Sequence, residues 1–254
     1  MGHVLVREEG DAVVVIGQAS HAWLSGQLAR AWGGDAVAPL EPREEVCLAA
    51  EQHDVGWADA DLEPTLGPTG RPLGFTQLPR IEHVAIWRDA ARRLLAQSRY
   101  AALLVSLHGT SLYASVDPDA DPAIRSYLAE QHALQSSLAA DLAAEEVDRN
   151  RRLLRAWDRL SLALCLPNLA IALDDVPAAD GAATIRLAPG AVAGGAARDD
   201  RAVPATTETT GVTLDPWPFA APRVVVGCEA RRLGAAGTLA GADWVALRWE
   251  LSPA

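Results

Sequence analysis

Lysine is absent from this 254-residue chain: every one of its 22 basic residues is an arginine. That absence excludes Schiff-base and pyridoxal-phosphate chemistry, which need an amine nucleophile, and it excludes a P-loop, which needs its lysine. Any positive group aimed at an anionic substrate must be an arginine or a metal ion. Cysteine is scarce too. Cys47, Cys165 and Cys228 stand alone with no Cys-x-x-Cys pair, the usage of a reduced, cytoplasmic protein. No run of about 18 uncharged apolar residues occurs, so no membrane span is expected. Met1-Gly2-His3-Val4-Leu5-Val6-Arg7 reads as the start of a strand, without the basic-then-apolar order of a secretory signal. Positive charge is outnumbered: the formal net charge is −11, which argues against a nucleic-acid partner.

What is present is half apolar and long enough to bury a sizeable core. Residues 3–8 and 11–16 run β-branched around Glu9-Gly10-Asp11, the pattern of a hairpin. From Ser20, a plausible N-cap, the period becomes helical, with His21, Leu24, Leu28 and Trp32 on one face before Gly33-Gly34. A second helix is expected over 43–54, stopping near Gly56. Residues 57–80, punctuated by Pro64, Pro68, Gly70, Pro72, Gly74 and Pro79, form a long loop of the kind that is usually functional or mobile. Helices follow at about 81–97, 100–115, 121–146 and 149–166. Residues 176–210 are rich in Ala, Gly, Asp and Thr without helical period and read as a variable connection. Short strands are expected at 211–214, 223–229 and 244–251. The expected fold is therefore mainly α: a β-hairpin over 1–18, a helical domain over 19–175, the connection over 176–210 and a small β segment over 211–254.

Polar residues in apolar stripes carry the functional signal. Asp158 lies four residues after Leu154 and four before Leu162, so it projects from an apolar face, where an unpaired carboxylate is very costly. It must meet an arginine, several donors or a cation, and a structural ion pair stands beside metal ligation as an explanation. His108 sits between Leu104 and Leu112 at helical spacing. His83 shares a face with Ile86, Trp87, Ala90 and Leu94, and His21 leads the face of Leu24 and Leu28. Each alone reads as a core histidine; together with the adjacent pair His53-Asp54 they make a ligand set suited to one or two divalent transition-metal ions. Asp54 near a helix end also puts negative charge at the negative pole of the helix dipole, which a cation would offset.

The order His21, His53-Asp54, His83, His108 and Asp158 on successive helices resembles the HD-domain metal-dependent phosphohydrolases, over about residues 20–166. A closer resemblance, over most of the chain, is to an uncharacterised bacterial family of unknown function. It rests on Gln18-x-x-His21, His53-Asp54-x-Gly56-Trp57, Leu104-Val105-Ser106-x-His108 and Pro216-Trp217-Pro218-Phe219. The HD resemblance implies an HD-type helical bundle. It implies one metal on His21, His53, Asp54 and Asp158, and a second on His83 and His108 with Asp54 as the bridge. It makes Asp54, His83 and His108 the catalytic group, with metal-activated water attacking a small anionic substrate, a phosphate ester or nucleotide. Relatives on that scaffold use the same six ligands to hold two irons and activate dioxygen, and a metal that only ties the helices together is a further reading.

No general acid or phosphate clamp stands out. Arg71, Arg80 and Arg99 are candidates by position, against the alternative of ordinary surface arginines. Asp59, Asp61 and Glu63 read as a solvated acidic loop, Trp57 as a core aromatic or a wall of the site, and His132 as surface. His3 carries no signal. Ser106 and Ser111 lack a Gly-x-Ser-x-Gly elbow. The Gly-rich stretch 189–196 follows no clear strand and is a weak nucleotide loop. Pro216–Phe219 either caps the pocket or plugs the helical core.

Overall fold

The strongest β-formers in the chain, Ala12–Ile16, form a strand whose Val13–Ile16 are all buried. Val14 and Ile16 face the main core, whereas Val13 and Val15 join Val4 and Leu233 in a second apolar cluster. That strand is buried on both sides, which is why its run is continuous rather than alternating. It anchors one end of a seven-stranded sheet in a computed structural model that describes residues 3–117, 121–192, 207–234 and 239–254.

The strands are β1 (Leu5–Glu9), β2 (Ala12–Ile16), β3 (Ile171–Ala178), β4 (Gly181–Gly190), β5 (Thr207–Asp215), β6 (Val224–Leu233) and β7 (Asp243–Pro253). Their spatial order is β1-β2-β6-β7-β5-β4-β3. All pairs are antiparallel except β5 with β7. The helices are α1 (Gln18–Ala31), α2 (Arg43–Gln52), α3 (Ala58–Leu62), α4 (Arg80–Leu94), α5 (Arg99–Ser111), α6 (Pro122–Leu138) and α7 (Ala144–Cys165). No helix among the described residues is long and apolar enough to cross a membrane.

The expectation of a mainly α, HD-type bundle is overturned. Helix accounts for 45% of the described residues and strand for 29%, and the sheet curls into a half-barrel. The strands that change the fold class are β3 and β4. Asp174-Asp175 and Pro177 interrupt the alternation of β3, and a bulge between Leu173 and Val176 shifts its register, with Asp175 at φ 64°. An edge strand tolerates Pro and a bulge, but its sequence then no longer reads as a strand. Residues 193–206, most of the rest of the expected connection and including the end of the Gly-rich stretch, lie outside the described residues.

Helices α1 and α7 lie against the sheet, on β6 and β3 respectively. One side chain locks the first contact. The Gln27 amide accepts from Gly227 N at 3.1 Å and donates to Gly227 O at 2.8 Å. It thereby satisfies the edge of β6 beyond the point where β2 stops pairing at Leu233–Arg231. Helix α5 is apolar around most of its girth, with Ala101–Val105 all buried, and forms the middle of the helical layer between α2, α4, α6 and α7.

Pro216–Phe219 plugs the core rather than the pocket. Phe219 meets the Trp32 ring edge-on at 5.5 Å, and Trp32 meets Trp157 at 5.6 Å. Pro218 O accepts from Gly33 N and Gly34 N, which closes the C-terminal end of α1.

Candidate metal centre

Two helix–helix approaches set the site. At Gly26 of α1, a Cβ would lie 2.6 Å from Glu51 Cβ of α2, so only glycine lets the helix bearing His21 sit this close to the one ending at His53. At Gly56 a Cβ would lie 2.4 Å from Ile86 O of α4. That glycine presses the short turn after His53-Asp54 onto α4 and brings α4 to the same cavity. Helix α2 stops at Gln52, and Asp54 opens a 3-10 turn over Val55–Trp57.

His21 Nε2, His53 Nε2 and an Asp158 oxygen all lie within 4.8 Å of one another. Asp158 Oδ1 is 3.5 Å from His53 Nε2 and 3.9 Å from His21 Nε2. Asp54 Oδ2 adds a fourth donor, 2.6 Å from His21 Nε2 and 3.5 Å from His53 Nε2. His108 approaches from the other side, its Nε2 3.9 Å from Asp158 Oδ2. Two ligands on one ion with bonds of about 2.0–2.2 Å lie at most about 4.4 Å apart, and the carboxylate–imidazole separations of 2.6, 3.5, 3.5 and 3.9 Å fall within that limit.

The opposite ring nitrogens explain the aim. His53 Nδ1 donates to Ala50 O at 2.9 Å. His21 Nδ1 lies 2.7 Å from Ser161 Oγ, whose own proton goes to Asp158 O at 2.8 Å. Ser161 therefore accepts from His21 Nδ1–H, while His21 Nε2, 2.6 Å from the acceptor-only Asp54 carboxylate, donates to that carboxylate when no cation stands between them. Both imidazoles are held by their Nδ1–H with Nε2 directed inward, the arrangement that orients metal-ligating histidines. His53 Nε2 has no hydrogen-bond partner although it is buried, and an unmatched buried nitrogen facing two carboxylates calls for a cation or a proton.

The electrostatics agree. Burial disfavours the charged form of His53, but Asp54 and Asp158 outweigh it and raise the imidazole to about 9. Burial would raise both carboxylates, yet the facing imidazoles hold them below the usual range, Asp54 chiefly through His53 and His21 and Asp158 through His53 and His108. His108 is driven by burial down to about 4, with Asp158 opposing. It is a neutral imidazole at physiological pH.

Of the cluster, His21, Asp54, His108 and Asp158 line a cavity of about 470 Å³, with Trp57, Phe75, Arg80, Trp87 and Tyr113, whereas the fully buried His53 does not reach its surface. The 57–80 segment supplies part of the cavity wall. Of the three arginine candidates only Arg80 lines the cavity; Arg71 pairs with Glu8 at 3.0 Å, and Arg99 is exposed. Trp57 is both buried and part of the wall, edge-on to His83 at 5.7 Å.

His83 lines the same cavity but stands apart from the cluster. Its Nε2 accepts from Trp87 Nε1 at 3.2 Å and its Nδ1 contacts Tyr113 Oη at 2.5 Å. Both nitrogens are therefore engaged within the wall. His132 is exposed, and His3 is buried away from this cavity. Ser106 bonds Gln131 at 2.8 Å and Ser111 bonds His108 O at 2.6 Å, so neither is poised as a nucleophile.

Two residues gain roles that the sequence does not signal. Asp61, expected in a solvated loop, accepts from Gln18 N at 3.0 Å and Ala19 N at 2.8 Å. It caps α1, which has Gly17 at its N-cap position and no side-chain cap of its own; burial raises its carboxyl to about 6. Ser161, the anchor of His21, is one turn beyond Asp158 on α7. A hydroxyl three residues after a buried carboxylate is the one signal that could have found it.

No curated protein and no solved structure matches the chain. A protein-family model does, over residues 4–235, described as a protein of unknown function. That span takes in the hairpin, all seven helices, β3 to β5 and β6, and the chain belongs to this family, DUF3891.

Proposed function

We propose that the protein is a metal-dependent hydrolase of a small phosphate ester or nucleotide, built around one divalent cation. The observation that carries this reading is the convergence of His21 Nε2, His53 Nε2, Asp54 Oδ2 and Asp158 Oδ1, with both imidazoles anchored through Nδ1. A divalent ion held there supplies Lewis-acid polarisation of a substrate oxygen and a water that ionises near neutral pH. The protein's own part is to hold the ligands rigidly, exclude bulk water with an aromatic wall, and offer Arg80 to the substrate's negative charge. The ligand order on α1, the end of α2 and α7 is what resembles the HD-domain phosphohydrolases; the curled sheet lies outside that resemblance. A second metal using His83, as in two-metal phosphohydrolases or a di-iron oxygenase, would have to break the bonds to Trp87 and Tyr113. Three cysteines that are all free and buried suit a reducing cytoplasm.

Elemental analysis of protein purified without chelator or affinity metal, beside Asp158→Asn, tests the reading. About one equivalent of manganese, iron or zinc in the wild type, lost in the variant together with hydrolysis of p-nitrophenyl phosphate or nucleoside monophosphates, is expected. No metal in the wild type after reconstitution with any of the three overturns it.

A further inference from the structure

The hydrogen bonds in the cavity wall run in one direction. Trp87 Nε1 is a donor only, and it points at His83 Nε2. That nitrogen must accept, so the imidazole carries its proton on Nδ1. Nδ1–H then donates to Tyr113 Oη at 2.5 Å. Burial lowers the pKa of His83 below its ordinary value and raises that of Tyr113 above its own, which keeps the imidazole neutral and the phenol protonated. Tyr113 Oη thus receives one hydrogen bond and keeps its own O–H to give. No acceptor for that proton is found among the described residues, and Tyr113 lines the same cavity as His21, Asp54, His108 and Asp158. A donor oriented by a fixed chain and left without an acceptor is a hydrogen-bond site made ready for a ligand.

Arg80 completes the arrangement. It opens α4, lines the same cavity, and its nearest carboxylate, Asp121, is 3.9 Å away with its other oxygen occupied as the cap of α6. Both the Arg80 charge and the Asp121 charge bear on the Tyr113 phenol, in opposite directions. One neutral donor and one guanidinium in a partly apolar cavity match an oxyanion rather than a cation or an apolar group.

We infer that Tyr113 O–H and Arg80 form an oxyanion-binding pair that seats the phosphate of the substrate, with His83 acting as the positioning residue that turns the Tyr113 proton toward it. The inference deepens the hydrolase reading, and its substrate assignment rests on that reading. It also gives His83 a role other than that of a second-metal ligand. The chain Trp87 → His83 → Tyr113 orients a donor at no cost to the cluster, because it uses neither Asp54 nor Asp158.

Binding of inorganic phosphate to chelator-stripped protein, measured calorimetrically, separates this inference from the metal assignment, which metal content reads independently. Tyr113→Phe removes one oxygen and is expected to weaken phosphate about tenfold, with metal content after zinc reconstitution unchanged. His83→Ala is expected to weaken it to a similar extent. His83→Asn, whose amide N–H takes the place of Nδ1–H, is expected to restore most of the loss. Phosphate affinity unchanged in Tyr113→Phe overturns the proposal, as does loss of metal in His83→Ala. Failure of the wild type to bind phosphate with or without zinc overturns it as well. A wild type that binds phosphate through Tyr113 but takes up no metal sinks the hydrolase reading and leaves the oxyanion site standing.

Discussion

Helix α7 meets α1 at His21 and meets Trp32, the residue that caps the C-terminal end of α1, and the two contacts are opposites. Near the start of α1, His21 meets Asp158 and Ser161 of α7 in a buried polar cluster. Near its end, Trp32 meets Trp157 of α7, one residue from Asp158, in an aromatic plug finished by Phe219. The plug buries three large rings with edge-to-face geometry, which adds to the gain from apolar area, and it carries two buried indole donors, Trp32 Nε1 and Trp157 Nε1, without an acceptor. The cluster gathers two carboxylates and three imidazoles where each group is costly unless its charge is matched. The same pair of helices therefore stores stability at one contact and holds a site at the other.

The comparison is most strongly broken at the plug. Phe219→Ala is expected to cost about 3–5 kcal/mol of stability while metal content per folded molecule stays at the wild-type level; a parallel loss of metal would show that the contacts are not independent. Next comes the approach that delivers the cluster to its cavity. Gly56→Ala places a methyl against Ile86 O and is expected to cost about 1–3 kcal/mol through overpacking. Unlike the plug variant, it should also weaken metal binding, because His53-Asp54 must shift with the backbone. An unfolding midpoint equal to that of the wild type would show that α4 gives way freely.

Ser161→Ala sharpens the contrast from the other side. It removes the anchor of His21 Nδ1 and touches nothing in the plug, so metal affinity is expected to fall about ten- to a hundredfold, read by competition with a chromogenic chelator. Equal affinity would mean that His21 is oriented by packing alone. A further contrast is in pH. In stripped protein, His53 is raised to about 9 in the folded state, so the stability it contributes is full below its unfolded value of about 6.5 and is lost as pH rises through 9. His108, held near 4 by burial, contributes stability that is present above about 6.5 and is lost as pH falls toward 4. Denaturation midpoints of stripped protein should peak near pH 6.5. Zinc should abolish the alkaline decline, since the cation takes the place of the His53 proton; a decline that persists in zinc would argue against His53 as a ligand.

Much of the site was legible because its signal is local. A polar residue in a helical apolar stripe is visible from spacing alone, and His21, His108 and Asp158 stand out that way; His53-Asp54 stands out as an adjacent pair at a helix end. His83 gives the same spacing signal, yet it belongs to the wall. Periodicity reports which face a residue occupies and says nothing of what its two nitrogens meet there. The long helices were equally legible, since a period of 3.6 over ten or more residues is hard to mistake; the five-residue α3, inside the stretch expected as a loop, is too short to show one. The fold class was not. Strands β3 and β4 depend on pairing across the sheet, and a bulged edge strand with Asp174-Asp175 and Pro177 has no pattern of its own. The cap that Asp61 provides to α1, the Gln27 clasp on Gly227 and the direction of the Trp87–His83–Tyr113 chain all join residues distant in sequence or depend on side-chain geometry. The sequence by itself determined the long helices, the arginine-only basic set and the polar residues set in apolar faces, because each is written in spacing and composition. Which strands pair, which histidines converge and which way the donors point were decided only by the tertiary structure, because those properties exist only between elements.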